Sequence, residues 1–124
     1  MTALSLTFEN TSADGHAALM AVAGFLECAG AYSANIELAL AESINNIVDH
    51  AYDATGTATL DICALPTAVH CVLQDCGRVF DPATSTSKTD GGFGWGLIQK
   101  VASKASLQRI EDTNHLTLEF RHPA

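Results

Sequence analysis

Residues 1–77 hold nine Asp and Glu side chains but not one Lys or Arg. That stretch of the chain offers no basic face to a DNA or RNA backbone, so a nucleic-acid partner is not expected. Apolar runs near the roughly 20 residues that a bilayer-spanning helix needs are missing as well, which argues against a membrane partner. The opening Met1-Thr2-Ala3-Leu4 has no basic region ahead of an apolar stretch, so no secretory signal is expected. Close cysteine pairs are lacking too. Cys28, Cys63, Cys71 and Cys76 are scattered without metal-type spacing, and without an export signal they are expected to stay reduced in a cytoplasmic setting. Repeats, low-complexity tracts and linkers are absent, so residues 1–124 are expected to form one domain with a single core.

What is present is a globular composition, 48% hydrophobic and 16% charged, with a net charge of -8. All the cations (Arg78, Lys88, Lys100, Lys104, Arg109, Arg121) fall after residue 77. Residues 4–8 alternate like a strand. An Ala- and Leu-rich helix is expected over 12–29, with Ser12 or Asp14 as its cap and Gly30 near its end. Ser33 caps a second helix over 35–52. Two β-rich runs, 57–64 and 69–74, flank a turn at Leu65-Pro66-Thr67-Ala68. Residues 77–92 read as loop and 95–104 as helix. Strands over 105–110 and 115–121 surround a turn at Asp112-Thr113-Asn114. The order β-α-α-β-β-loop-α-β-β clusters strands instead of alternating them with helices. The expected fold class is α+β, a two-layer α/β sandwich whose sheet is mixed, mostly antiparallel, and covered by helices on one face.

Three motifs carry chemistry. On the second helix, Ile36, Leu40, Ile44, Ile47, Val48 and Ala51 fall on one side at 100° per residue. Glu42, Asn45, Asn46, Asp49 and His50 fall on the other, and Glu42 and Asn46 are neighbours one turn apart. Such a stripe is either a solvated polar face or a set of metal-ligand and proton-transfer groups. The second motif is Asp75-Cys76-Gly77. Strand alternation puts Asp75 on the same face as Val69, Cys71 and Leu73, where a carboxylate needs a donor. An adenine amino group or the residue's own turn would supply one, and Gly77 would let a flat ring approach the backbone. The third is Gly91-Gly92-Phe93-Gly94-Trp95-Gly96-Leu97. Glycines before a helix expose N–H groups suited to phosphate, or simply form a flexible loop. It is not a Walker loop, because no Lys-Ser/Thr pair follows the glycines.

Together these boxes resemble the histidine-kinase-like ATPase family, in its branch of anti-sigma-factor serine/threonine protein kinases. The resemblance runs over nearly the whole chain and rests on Glu37 to Tyr52, Asp75 to Pro82 and Gly91 to Leu97. It implies ATP and Mg²⁺ as cofactors. By resemblance, Glu42 would be the general base, Asn46 would coordinate the metal, and Asp49 and His50 would complete the first box. Asp75 would bind the adenine amino group, with Gly77 against the ring and Phe80 beside it. Residues 83–89 would form a lid, while Gly92, Phe93, Gly94, Trp95, Gly96 and Leu97 would surround the phosphates. Arg78 and Lys88 would be charge partners. A short lid, and Ser103 at the end of the helix after the glycines where relatives often carry an acidic residue, depart from the family pattern. The implied substrate is an anti-anti-sigma protein of the STAS type, and the implied second partner is a sigma factor. A homodimer remains compatible. The rival readings are a binding module that holds ATP without transferring phosphate, and a metal-dependent hydrolase using Glu42, Asn46, Asp49 and His50.

Overall fold

The computed structural model describes residues 2–51, 56–77 and 94–122, and of His50 and Ala51 the backbone alone. Strand β1 (Thr2–Glu9) leads into α1 (Ser12–Cys28) and α2 (Ala34–Asn46), which continues as a π-helical turn over Ile47–Ala51. Then follow β2 (Thr57–Ala64), β3 (Ala68–Asp75), α3 (Gly94–Val101), β4 (Lys104–Ile110) and β5 (Thr113–Arg121). The strands form one sheet in the order β1-β2-β3-β5-β4. This is the expected α+β class. One refinement concerns the sheet, since every pairing among the described residues is antiparallel and none is parallel. Short turns pair β2 with β3 and β4 with β5 antiparallel, and β5 lies between β3 and β4, the two strands that α3 separates in sequence.

Strand alternation builds the core. Leu6, Leu60, Leu73, Leu116 and Leu107 lie side by side across all five strands. Ile62, Cys71 and Leu118 form the next row. Over this face pack Val22 and Leu26 of α1, Ile36, Leu40 and Ile44 of α2, and Ile98 of α3. The opposite face carries polar rows such as Thr7, Thr59, Gln74, His115 and Gln108.

Local chemistry sets the ends of the elements. Thr11, not Ser12 or Asp14, caps α1, its hydroxyl accepting from Asp14 N at 3.1 Å. Asp14 instead reaches back to accept from Glu9 N at 3.2 Å. The helix closes where Gly30 takes φ +69, with Ala31 N donating to Leu26 O and Gly30 N to Glu27 O. That pattern is a Schellman close, and a residue with φ > 0 there favours glycine. Ser33 caps α2 as expected. Helix α3 stops at Val101, short of the expected residue 104, because Ser103 N already donates to Glu119 O and Lys104 pairs with Glu119 in the sheet. The last turn sits on Glu111 and Asp112 instead of residues 112–114. Ile110 pairs directly with Thr113, and Glu111 adopts φ 55.

Candidate functional site

The site is built from α2 outward. Its buried residues, Ile36, Leu40 and Ile44, anchor one side against the sheet. Helix α1 comes close on this side, since a Cβ on Gly15 would lie 3.0 Å from Ile44 Cγ2 and 3.3 Å from Val48 Cγ2. With that side fixed, Glu42 and Asn46 project from the other, both half-buried. Asn45 and Asp49 are exposed. Beyond Asn46 the backbone leaves α-helical phase for the π-helical turn, so the regular 100° stripe extends only to Asn46. Single π turns inside helices are frequent at functional sites. The side chain of His50 lies outside the described residues.

The start of α3 meets that stripe. A Cβ on Gly94 would lie 3.2 Å from Glu42 Oε2 and 3.6 Å from both the Oδ1 and the Nδ2 of Asn46. A methyl there would press on the Glu42 carboxylate, which would have to give by a few tenths of an ångström, while its contact with the Asn46 amide would be ordinary. The first and third motifs, fifty residues apart in sequence, therefore converge at Gly94, Glu42 and Asn46. The other members of the third motif behave differently. Trp95 packs against the core, Leu97 is half-buried, and Gly96 is exposed, with open space where its Cβ would stand.

The second motif closes the edge of the sheet. Asp75 ends β3 on the helix-covered face, 8% exposed. Its Oδ1 accepts from Gly77 N at 2.9 Å and from Asn114 Nδ2 at 3.0 Å. The donor required by burial is thus partly its own turn and partly a neighbouring strand. Arg109 Nη1 donates to Gly77 O at 2.7 Å, and its Nε donates to Glu111 O at 3.2 Å. Asn114 and Arg109 are functional candidates that sequence reasoning missed. Asn114, 4% exposed, was expected in a turn, and the earlier position of that turn turns it into a strand residue beside Asp75. The usable signal was the unmet donor on the core face, which calls for a buried amide on an adjacent strand.

Phe80, Gly92 and Phe93, the lid over 83–89, and Arg78 and Lys88 lie outside the described residues. Among the described residues, no group of three His, Cys, Asp or Glu side chains is placed to hold a metal ion. No helix there is long and apolar enough to cross a membrane.

The sequence profile of the histidine kinase-like ATPase domain matches residues 8–120. The chain belongs to that family. No curated protein matches its sequence. Among solved structures, this ATPase domain is similar to the crystal structure of the RsbU and RsbW domains of Rv1364c from Mycobacterium tuberculosis, with a TM-score of 0.77 and 19% identity. The alignment covers 100% of the domain but 34% of that longer chain, and at this identity it establishes the shared fold. Membership in the family implies ATP binding. The described polar groups are two, one around Glu42 and Asn46 and one around Asp75.

Proposed function

We propose that this ATPase domain is an ATP- and Mg²⁺-dependent serine/threonine protein kinase that acts as an anti-sigma regulatory factor. Its substrate on this reading is a STAS-type anti-anti-sigma protein. The observation that carries the proposal is the approach of Gly94 to Glu42 and Asn46, where an added Cβ would lie 3.2 Å from Glu42 Oε2 and 3.6 Å from the Asn46 amide. The carboxylate of Glu42 beside that approach counts modestly against a domain that merely holds ATP. The fold shared with a structure of RsbU and RsbW domains is in keeping with the branch that the three boxes resemble.

Phosphoryl transfer depends mainly on positioning and charge neutralisation. Asn46 would hold Mg²⁺ through its side-chain oxygen, and the ion would supply neutralisation of phosphate charge. Glu42 sits one turn away and accepts the proton of the incoming serine or threonine hydroxyl. Asp75 accepts from the adenine amino group. Its two described hydrogen bonds both fall on Oδ1, so Oδ2 is the oxygen available to the base. Gly77, without a side chain, would let a flat ring approach its backbone.

The test is transfer of radiolabel from ATP to a STAS-type protein from the same cell. Wild type is expected to label it, and Glu42→Gln is expected to lower the rate about a hundredfold or more, the usual loss for a general base. ATP binding without any transfer would establish the non-catalytic module instead. Undiminished transfer by Glu42→Gln would remove Glu42 from its role.

A further inference from the structure

We infer that the β4–β5 hairpin selects the base of the nucleotide, through Asn114 and Arg109 acting as positioning residues for Asp75. The inference rests on the ATP-binding reading above and extends it to residues outside the three motifs. Ala58, Asp75, Asn114 and Arg109 stand at one level across four adjacent strands. Asn114 donates sideways from β5 to Asp75 Oδ1 at 3.0 Å. Arg109, one strand further out, reaches past β5 to the carbonyl of Gly77 at 2.7 Å. The Asp75–Gly77 turn is therefore held from both ends, at the carboxylate by Asn114 and at the closing peptide by Arg109.

The chemistry of the held carboxylate follows. Oδ1 receives two N–H donors, from Gly77 and Asn114. This fixes the plane of the carboxylate and leaves Oδ2 as an acceptor in a fixed direction. Adenine meets that acceptor with an amino donor. A purine bearing a carbonyl at the same ring position meets it with a second acceptor, and a buried acceptor pair without a proton between them is costly. Removing the amide of Asn114 undoes the fixation. The carboxylate then turns about its last torsion, and Oδ2 no longer presents an acceptor in one direction. Asn114 thus acts on base choice through Asp75, without touching the base itself.

The experiment measures equilibrium binding of ATP and of inosine triphosphate, which carries a carbonyl where adenine carries its amino group. Wild type is expected to prefer ATP. Asn114→Leu, which keeps the branching but replaces the amide by two bulkier methyl groups without a donor, is expected to reduce the ATP-to-inosine triphosphate preference about tenfold or more. Asn114→Thr, which retains a short hydroxyl donor, is expected to restore part of it. Arg109→Gln, at an exposed position, is expected to reduce the preference by a smaller factor, and it keeps the test open if Asn114→Leu fails to fold. A purely structural role would weaken both nucleotides equally and leave the ratio unchanged, and an unchanged ratio in Asn114→Leu and Arg109→Gln overturns the inference. Wild type binding neither nucleotide would overturn the ATP reading itself, a result distinct from an unchanged ratio.

Discussion

The missing Cβ of Gly94 sets how near the start of α3 comes to Glu42 and Asn46. A methyl there would lie 3.2 Å from Glu42 Oε2, tighter than an ordinary contact. The atom it meets is the end of a flexible side chain, which can swing away at little cost. Gly94→Ala should therefore leave the fold intact, with a stability change within about 1 kcal/mol, since alanine also favours helix by a similar amount. The displaced carboxylate is another matter. The contact asks it to give by a few tenths of an ångström, where a shift of about 1 Å in a positioned group lowers a rate by about a hundredfold. Gly94→Ala is expected to transfer phosphate several-fold more slowly than wild type while melting within a few degrees of it. Parallel measurement of label transfer and thermal unfolding checks this, and full activity in the variant would show that the close approach does not position Glu42.

At the scale of elements, α1 and α2 are fixed by one close approach, and two glycines on the same helix should respond in opposite ways. A Cβ on Gly15 would meet Ile44 Cγ2 at 3.0 Å and Val48 Cγ2 at 3.3 Å. Both are methyls of β-branched side chains with little rotamer freedom, so they cannot yield easily. Overpacking of this kind costs about 1–3 kcal/mol and outweighs the gain in helix propensity. Gly24 faces open space, and there the propensity gain of about 0.8–1 kcal/mol stands alone. Gly15→Ala is expected to lower the midpoint of thermal unfolding and Gly24→Ala to raise it, each by several degrees. A matching direction in the two variants would contradict the packing account. The same contrast shows what was readable in the sequence. Periodicity located every described helix and strand, and it separated Ile36, Leu40 and Ile44 from Glu42 and Asn46, because burial of one face repeats at a fixed interval. It also put Asp75 on the core face. It missed the π-helical turn after Asn46, since hydrogen bonds to a different backbone partner leave little trace in side-chain pattern. It misplaced the β4–β5 turn because Asp, Thr and Asn favour turns locally, while the register of β5 against β3 decides the outcome. Asn114 and Arg109 were hidden by that single shift.

For the molecule as a whole, the centre of the sheet carries a titratable group that links stability to alkaline pH. Cys71 is 1% exposed and flanked in register by Ile62 and Leu118. Burial pushes its thiol up to about 12, because a thiolate there would lose its hydration. In the unfolded chain the same thiol titrates near 8.5. Below about pH 8.5 both states hold the proton and the group has no effect on stability. Between about 8.5 and 12 the unfolded state has released a proton that the folded state keeps, so stability falls as pH rises, by up to about 1.4 kcal/mol per unit. At pH 10.5 the loss from Cys71 alone is on the order of 2–3 kcal/mol. Cys71→Val keeps a buried apolar side chain and removes the titration. The difference in unfolding free energy between pH 7.5 and pH 10.5 should therefore be smaller in the variant by about that amount, while the titration of lysines and tyrosines cancels between the two proteins. Thiol labelling at pH 8 supplies an independent readout. Cys28 and Cys76, both exposed, should react in the folded protein, and Cys71 only as the sheet opens. Equal alkaline losses in wild type and Cys71→Val would assign the pH dependence to other groups.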